Sequence, residues 1–318
     1  MKQQINNGYL VIVNPNAGKG LGEKDWKKIS SLLKNEGIHF VEKFTEKKGH
    51  AIRLAAEGVN SGFRRIITVG GDGTLNEIVN GIFLNSVCYT PEVSLGMIPV
   101  GTGNDWVRMF GIPGNYTEAV KIIKADKTML HDAGVVSYYN GDEKQIRYFI
   151  NIAGVGFESA VVRRTNNQKE KGYGGKLVYF YNLLVTLSSY RNKKVLLTID
   201  SEQKKARIFS VNVGNGRYCG GGMRQTPNAI PDDGWLDVTV INSMRKFEII
   251  RNLQILYNGK ILEHPKVDGY RCRKFDISSE IPVYTEADGE FLGHTPAEFT
   301  VIPGALKVIY GERLIPLE

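Results

Sequence analysis

The stretch Ile66-Ile67-Thr68-Val69-Gly70-Gly71-Asp72-Gly73-Thr74-Leu75-Asn76-Glu77-Ile78-Val79-Asn80 decides how the first part of this chain folds. Its apolar and β-branched opening reads as a buried strand, glycines end the strand, and a helical pattern starts at once from Leu75. A strand that turns straight into a helix aims free backbone N–H groups and the positive end of the helix dipole at one point. Anions, phosphate above all, are attracted there. Asp72 sits inside that site, and a carboxylate beside phosphates calls for a cation between them, usually Mg²⁺ carrying some of its own waters. Taken alone, the loop also reads as an ordinary βα turn, with glycines for positive φ and Asp72 as a helix N-cap.

Two further loops repeat the design. Tyr9-Leu10-Val11-Ile12-Val13 runs into Asn14-Pro15-Asn16-Ala17-Gly18-Lys19-Gly20, and the strand over 93–98 runs into Pro99-Val100-Gly101-Thr102-Gly103-Asn104-Asp105. Alternating strands and helices imply parallel neighbours, which bring all three loops to the carboxyl edge of one sheet, where open α/β sheets bind ligands. The backbone N–H groups of Asn14 to Gly18 and of Gly71 to Thr74 form the expected phosphate cradle, with Lys19 as a phosphate contact. Asp72 and Asp105 are the carboxylates embedded in these loops and so the expected Mg²⁺ ligands; Asn104-Asp105 also suits a helix cap. Neither a G-x-x-x-x-G-K-[ST] loop nor a dinucleotide G-x-G-x-x-G is present.

Working outward, helices are expected over 23–34, 49–60, 75–83 and 117–124, with a strand over 38–44. This part is a doubly wound α/β nucleotide-binding domain, placed at 1–128. Beyond it the chain turns to short β-rich runs over 132–137, 147–152, 195–199, 208–213, 236–241, 271–277 and 282–285, interrupted by helices near Leu177 and over 247–257. These predict a C-terminal β-sandwich at 129–302, with the active site in the cleft between the domains.

The 318 residues, 42% of them hydrophobic, suffice for two cores, and no window approaches the roughly 18 apolar residues of a membrane span. No leader pattern is seen, so a cytoplasmic protein is expected. Cys88, Cys219 and Cys272 are widely spaced and fit reduced thiols better than disulfides or zinc. A net charge of +8 admits nucleic acid or an anionic membrane, but no nucleic-acid-binding signature is present. Arg163, Arg164, Lys169, Lys171, Lys176, Arg191, Lys193 and Lys194 surround the aromatic stretch 177–185. That distribution suits reversible association with acidic headgroups, and also a core helix with a charged rim. The five histidines are scattered and carry no metal spacing; His294 is a candidate neighbour of Glu290.

Asn14-Pro15-x-Ala17-Gly18-x-Gly20, Gly70-Gly71-Asp72-Gly73-Thr74-x-Asn76-Glu77 and Pro99-x-Gly101-Thr102-x-Asn104-Asp105 together resemble the diacylglycerol kinase catalytic domain, and most closely the soluble bacterial lipid kinases. The resemblance implies ATP and Mg²⁺ as cofactors and a lipid hydroxyl as acceptor. Nucleotide contacts are expected at Asn14, Pro15, Asn16, Ala17, Gly18, Lys19, Thr45, Gly71, Asp72, Gly73, Thr74, Leu75, Asn76, Glu77 and Thr102. It further implies Glu290 of Asp288-Gly289-Glu290 as the proton acceptor, and a structural Mg²⁺ held by Asp233 with the carbonyls of Ile230 and Trp235. The chain after Pro303 is implied to return to the first domain. A hairpin turn is the plain alternative for Asp288-Gly289, and a solvated acidic turn for 231–237. An NAD kinase, which shares Gly-Gly-Asp-Gly but lacks the other two motifs, and a non-enzymatic lipid or nucleotide sensor are the competing functions. The acceptor lipid is unreadable, and a homodimer stays open.

Overall fold

The computed structural model describes residues 7–170 and 176–312, and all of their side chains except those of 169, 170, 176 and 177. The chain forms two compact units, one of residues 1–133 and 303–318 and the other of residues 134–302.

In the first unit, β1 (Tyr9–Val13), α1 (Ala17–Lys24), α2 (Trp26–Asn35), β2 (Phe40–Phe44), α3 (His50–Asn60), β3 (Arg65–Gly70), α4 (Asp72–Phe83), β4 (Ser94–Pro99) and α5 (Tyr116–Ala125) follow in turn. The strands lie in the order β2-β1-β3-β4, all parallel, and residues 307–308 pair parallel with β4 on its far side. Parallel strands flanked by helices are covered on both faces, which is why β1 and most of β3 are buried runs without alternation. The helix expected over 23–34 is two helices. Gly18, Lys19 and Gly20 take φ of 60°, 64° and 90°, so regular helix cannot start until after them, and a second start follows at Trp26. That ring meets Phe40 and Phe44 edge-on at 6.0 and 5.8 Å. α4 begins at Asp72 itself, three residues earlier than its apolar pattern indicates.

The second unit contains β5 (Thr128–Asn140, its first residues in unit one), β6 (Glu143–Phe149), β7 (Ile152–Gly156), α6 (Phe157–Glu170), α7 (Lys176–Ser189), β8 (Lys193–Ile199) and β9 (Glu202–Gly214). The short β10 (Tyr218–Cys219) and β11 (Met223–Arg224) pair with each other. β12 (Leu236–Asn242), α8 (Lys246–Asn258), β13 (Val267–Cys272), β14 (Lys274–Ser278), β15 (Tyr284–Ala287) and β16 (Glu290–Ile309, its last residues in unit one) complete it. One layer runs β13-β12-β9-β7-β15-β16. The other joins β9 to β8, β14 and β16, so β9 and β16 are long strands shared by both layers. Apolar residues of the two layers meet in one core around Phe149, Val211, Val238, Phe275 and Phe299. The run expected over 147–152 is two strands, because β7 pairs with β9 and β15 while β6 pairs with β5. Likewise 271–277 divides between β13 and β14, which pair with different partners.

β12, β9, β7 and β15 carry a row of registered residues, Thr239, Asn212, Gly154 and Glu286. Their neighbours Val238, Val211, Val213, Val155 and Ala287 belong to the sandwich core, so by strand alternation the row faces the other way. α6 lies on that second face: Ser159 Oγ on the helix donates to the carbonyl of Gly154 at 2.9 Å.

Candidate active site

Three loops meet at the carboxyl edge of the first unit's sheet. Asn14 Nδ2 donates to Thr74 Oγ1 at 2.9 Å, joining the first loop to the second, and the Val100 N–H donates to the carbonyl of Gly70 at 2.8 Å, joining the second to the third. The approach is close enough to require glycine: a Cβ on Gly101 would lie 2.5 Å from Gly71 Cα, and one on Gly18 would lie 2.2 Å from the carbonyl oxygen of Val100. The left-handed Gly18-Lys19-Gly20 run turns the chain here, a conformation that costs Lys19 about 1 kcal/mol.

Asp72 links two of these loops through its carboxylate. Its Oδ2 accepts the Asp105 N–H and its Oδ1 the Trp106 N–H, both at 3.1 Å. The short 3₁₀ helix Trp106–Phe110 is therefore capped by Asp72, and Asp105 makes no side-chain capping bond. Asp105 is buried and lies 3.4 Å from Arg108 Nε. A Cβ on Gly103 would meet Asp72 Oδ2 at 3.1 Å and Asp105 Oδ2 at 3.4 Å, so both carboxylates border the same small space. One or two carboxylates with phosphate oxygens and water is the donor set Mg²⁺ takes, and each carboxylate oxygen has lone pairs beyond a single N–H bond. The residues present fit the ion.

The other expected nucleotide residues divide. Asn16 donates its N–H to Asn14 Oδ1 at 3.1 Å within the first loop, and Thr102 is exposed on the third. Leu75 and Asn76 are buried, so their side chains serve the packing of α4. Glu77 accepts the N–H groups of Gly49 and Ala51 at 2.8 and 3.1 Å, a carboxylate at the start of α3. Thr45 is buried at the end of β2 and donates its N–H to Val13.

In the second unit, Asp288 and Gly289 take φ of 48° and 79° between the paired Ala287 and Glu290, a two-residue turn matched to strand twist. Asp288 accepts three backbone N–H groups, from Ile150, Asn151 and Ile152, at 3.0, 3.0 and 3.1 Å. The Gly289 N–H donates to Glu286 Oε2 at 2.9 Å, and Asn166 Nδ2 donates to Glu290 Oε2 at 3.4 Å. Glu290 thus starts a strand from a pinned turn. The His294 ring donates from Nδ1 to the carbonyl of Thr295 at 2.8 Å.

The same unit holds a pocket, open at its mouth, lined by α6, α7, α8 and the sheet. Its wall is mainly apolar, with Phe157, Val161, Leu183, Ile249 and Leu253 among it; Glu158, Ser210, Asn212, Gln225, Asn252 and His264 are its polar lining. No helix of the described residues is long and apolar enough to cross a membrane, yet α7 exposes Phe180, Tyr181 and Leu184, and α8 exposes Phe247, Ile250 and Tyr257. The expected basic cluster is partly engaged within the unit. Arg163 stacks 4.5 Å from the Tyr284 ring, and Arg164 Nε donates to Asn182 Oδ1 at 3.0 Å. Lys171 and the side chains of Lys169 and Lys176 lie outside the described residues.

At the acidic loop, Asp233 accepts the Trp235 N–H at 2.9 Å and pairs with the Arg271 guanidinium. Burial pushes the carboxyl of Asp237 up to about 6. Among the described residues no cluster of three or more His, Cys, Asp or Glu side chains is arranged to hold a metal.

Pattern reading missed Glu158, Asn212 and Gln225. Ser210 and Asn212 alternate with Val211 and Val213, a pattern that reads as the solvated face of a strand, but both polar residues are buried.

Residues 8–136 match the diacylglycerol kinase catalytic domain, and residues 151–310 match the YegS C-terminal NAD kinase beta sandwich-like domain. A diacylglycerol kinase of Mycobacterium tuberculosis is 32% identical over 301 residues, covering 94% of this chain and 93% of that protein. The crystal structure of a diacylglycerol kinase from Bacillus anthracis superposes with a TM-score of 0.72 at 26% identity, over 97% of this chain and 98% of that one. A yeast NADH kinase shares the fold alone, with a TM-score of 0.52 and 12% identity. With both domain models matched in order and a relative aligned along nearly its whole length, this chain belongs to the diacylglycerol kinase family of lipid kinases.

Proposed function

We propose that this lipid kinase transfers the γ-phosphoryl group of ATP to the free hydroxyl of diacylglycerol held at an anionic membrane surface, with Mg²⁺ as the required metal. The observation that carries the acceptor is the apolar pocket of the second unit, with exposed aromatic side chains on α7 and α8, the helices that line it. Such a site matches acyl chains better than a soluble dinucleotide. The relatives named diacylglycerol kinase favour the same acceptor.

In this reading the backbone N–H groups of 14–18 and 71–74 bind phosphate oxygens, and Lys19 adds a positive charge. Asp72 and Asp105 would hold Mg²⁺, which supplies neutralisation of charge on the transferring group. Asp72 also fixes the third loop against the second, so the carboxylate and the cradle keep their spacing while phosphate moves. Glu290 accepts the hydroxyl proton as the oxygen–phosphorus bond forms. The decisive experiment offers labelled ATP with diacylglycerol, a sphingoid base, ceramide and NAD in turn. Phosphorylation of diacylglycerol well above the others is expected; phosphorylation of NAD and no lipid would overturn the reading.

Docking is tested on vesicles. Each basic residue near an anionic leaflet adds about 1 kcal/mol, within a Debye length of about 8 to 10 Å. Activity is expected to be higher on anionic than on neutral vesicles, to fall from about 0.1 to 0.5 M salt, and to drop again in Phe180→Ser/Phe247→Ser. Equal rates on both vesicle types would remove electrostatic docking and leave the kinase assignment standing.

A structural Mg²⁺ at Asp233, with the carbonyls of Ile230 and Trp235, is also part of the proposal, and it must share Asp233 with Arg271. Asp233→Asn is expected to lower the melting temperature by several degrees, the equivalent of about 1 kcal/mol. If Mg²⁺ is the partner, a chelator lowers the melting temperature of the wild type more than that of the variant; if it lowers both equally or neither, Asp233 holds no Mg²⁺ and pairs with Arg271 alone.

A further inference from the structure

We propose that Glu158, supported by Asn212 and Gln225, is the group that sets lipid specificity: it hydrogen-bonds the uncharged ester and hydroxyl oxygens beside the acyl chains and so selects neutral glycerolipids over lipids bearing an ammonium group. The inference rests on reading the apolar pocket as the acyl-chain site.

Glu158 lies in the first turn of α6 and lines the pocket together with Asn212 and Gln225. The Gln225 amide donates to its Oε1, Cys219 Sγ lies 3.8 Å from the same oxygen, and the Asn212 amide lies 2.5 Å from Oε2. Asn212 belongs to the buried row on β12, β9, β7 and β15. At Gly154 in that row a Cβ would stand 2.8 Å from Glu286 Oε1 and 3.5 Å from Asn212 Oδ1, so glycine makes room for the polar groups on either side. Among the described residues the titratable groups facing Glu158 are Glu286 on β15, Cys219 on β10 and Tyr179 on α7, and none of these is a cation. His264, on the same pocket wall, is occupied elsewhere, by Asn252 and the Lys266 N–H.

A half-buried carboxyl stripped of water by neutral partners holds its proton more tightly. Burial pushes Glu158 up to about 8, and pushes Glu286 well above the usual carboxylate range. Near neutral pH the Glu158 group is therefore uncharged and carries an acid O–H. Ester oxygens are acceptors and match that O–H, while an ammonium would be a buried cation with no anion to pair it. A buried donor left without an acceptor is the strongest source of discrimination between similar ligands.

The test measures KM for diacylglycerol and for ATP across pH 6.5 to 9.5 in the wild type, Glu158→Gln, Glu158→Leu and the pocket-filling Leu253→Trp. Glu158→Leu should raise the lipid KM about tenfold, the effect of one lost buried hydrogen bond, with the ATP KM within twofold. Glu158→Gln, which is isosteric and keeps a donor, should recover most of that loss. The wild-type lipid KM should rise above pH 8 as Glu158 loses its proton, and that rise should vanish in Glu158→Gln. Leu253→Trp should raise the KM of long-chain lipids at every pH. If Leu253→Trp acts but Glu158→Leu stays within twofold of wild type, this inference fails and the chain pocket stands. When neither variant shifts the lipid KM, both fall. Phosphorylation of a long-chain base in preference to diacylglycerol, abolished in Glu158→Gln, would show that the group is an anion for ammonium and overturn the proposal.

Discussion

Replacing Glu290 by Gln is expected to lower turnover on lipid by about two to four orders of magnitude, with the ATP KM close to wild type. That range corresponds to roughly 3 to 5 kcal/mol of barrier, the contribution of a well-placed base to an oxygen nucleophile whose own pKa is far above neutrality. The position supports the role because the turn before Glu290 is pinned from outside. The three N–H groups on Asp288 and the Gly289 N–H on Glu286 hold the backbone. The Asn166 amide bonds the carboxylate itself. Gln keeps the shape and the Asn166 contact through its carbonyl but cannot take a proton. The melting temperature should therefore stay within a degree or two, and a variant that turns over at near-wild-type rate would remove Glu290 from the mechanism. Asp288→Asn is the contrasting variant. It leaves at least one of the three N–H groups facing an amide NH₂, so its loss of activity should come with a loss of stability.

Asp72→Asn is expected to cost about 10² to 10³ in turnover and to raise the Mg²⁺ concentration needed for half-maximal rate. Two effects combine. The charge that would hold the ion is removed, and one of the N–H groups of Asp105 and Trp106 is left facing an amide NH₂. The second effect loosens the third loop, so the start of the 3₁₀ helix Trp106–Phe110 should show faster amide exchange in the variant. An unchanged Mg²⁺ requirement together with full activity would show that Asp72 is only a strut between loops. Loss of protection at 105–106 with an unchanged metal requirement would assign it the structural part alone.

How much of this was legible in the sequence depends on how local each signal is. Strand-glycine-helix junctions are local, so 66–80 and its two counterparts announced a parallel sheet with three loops at one edge, and the order of the motifs announced the family. Alternating short strands announced a sandwich for the same reason: the period of two is carried by each strand alone. The sequence alone also placed Asp72 and Asp105 on phosphate loops and Glu290 after a hairpin turn. It could not say what their neighbours are. That Asp72 caps a helix 34 residues further on, and that Asp288 gathers N–H groups from 136 to 138 residues away, follows from closure of the sheets and leaves no mark in any short window. That Arg271 reaches Asp233 from the paired strand β13 is likewise invisible in any short window. Arg163 is the exposed charge its sequence suggests, but its stacking on Tyr284 appears only in the fold. The polar end of the pocket was the least legible, because Ser210 and Asn212 obey the alternation of a half-exposed strand. Only the tertiary structure covers that face with helices, and covering it turns ordinary polar residues into buried hydrogen-bonding groups and Glu158 into an acid that holds its proton.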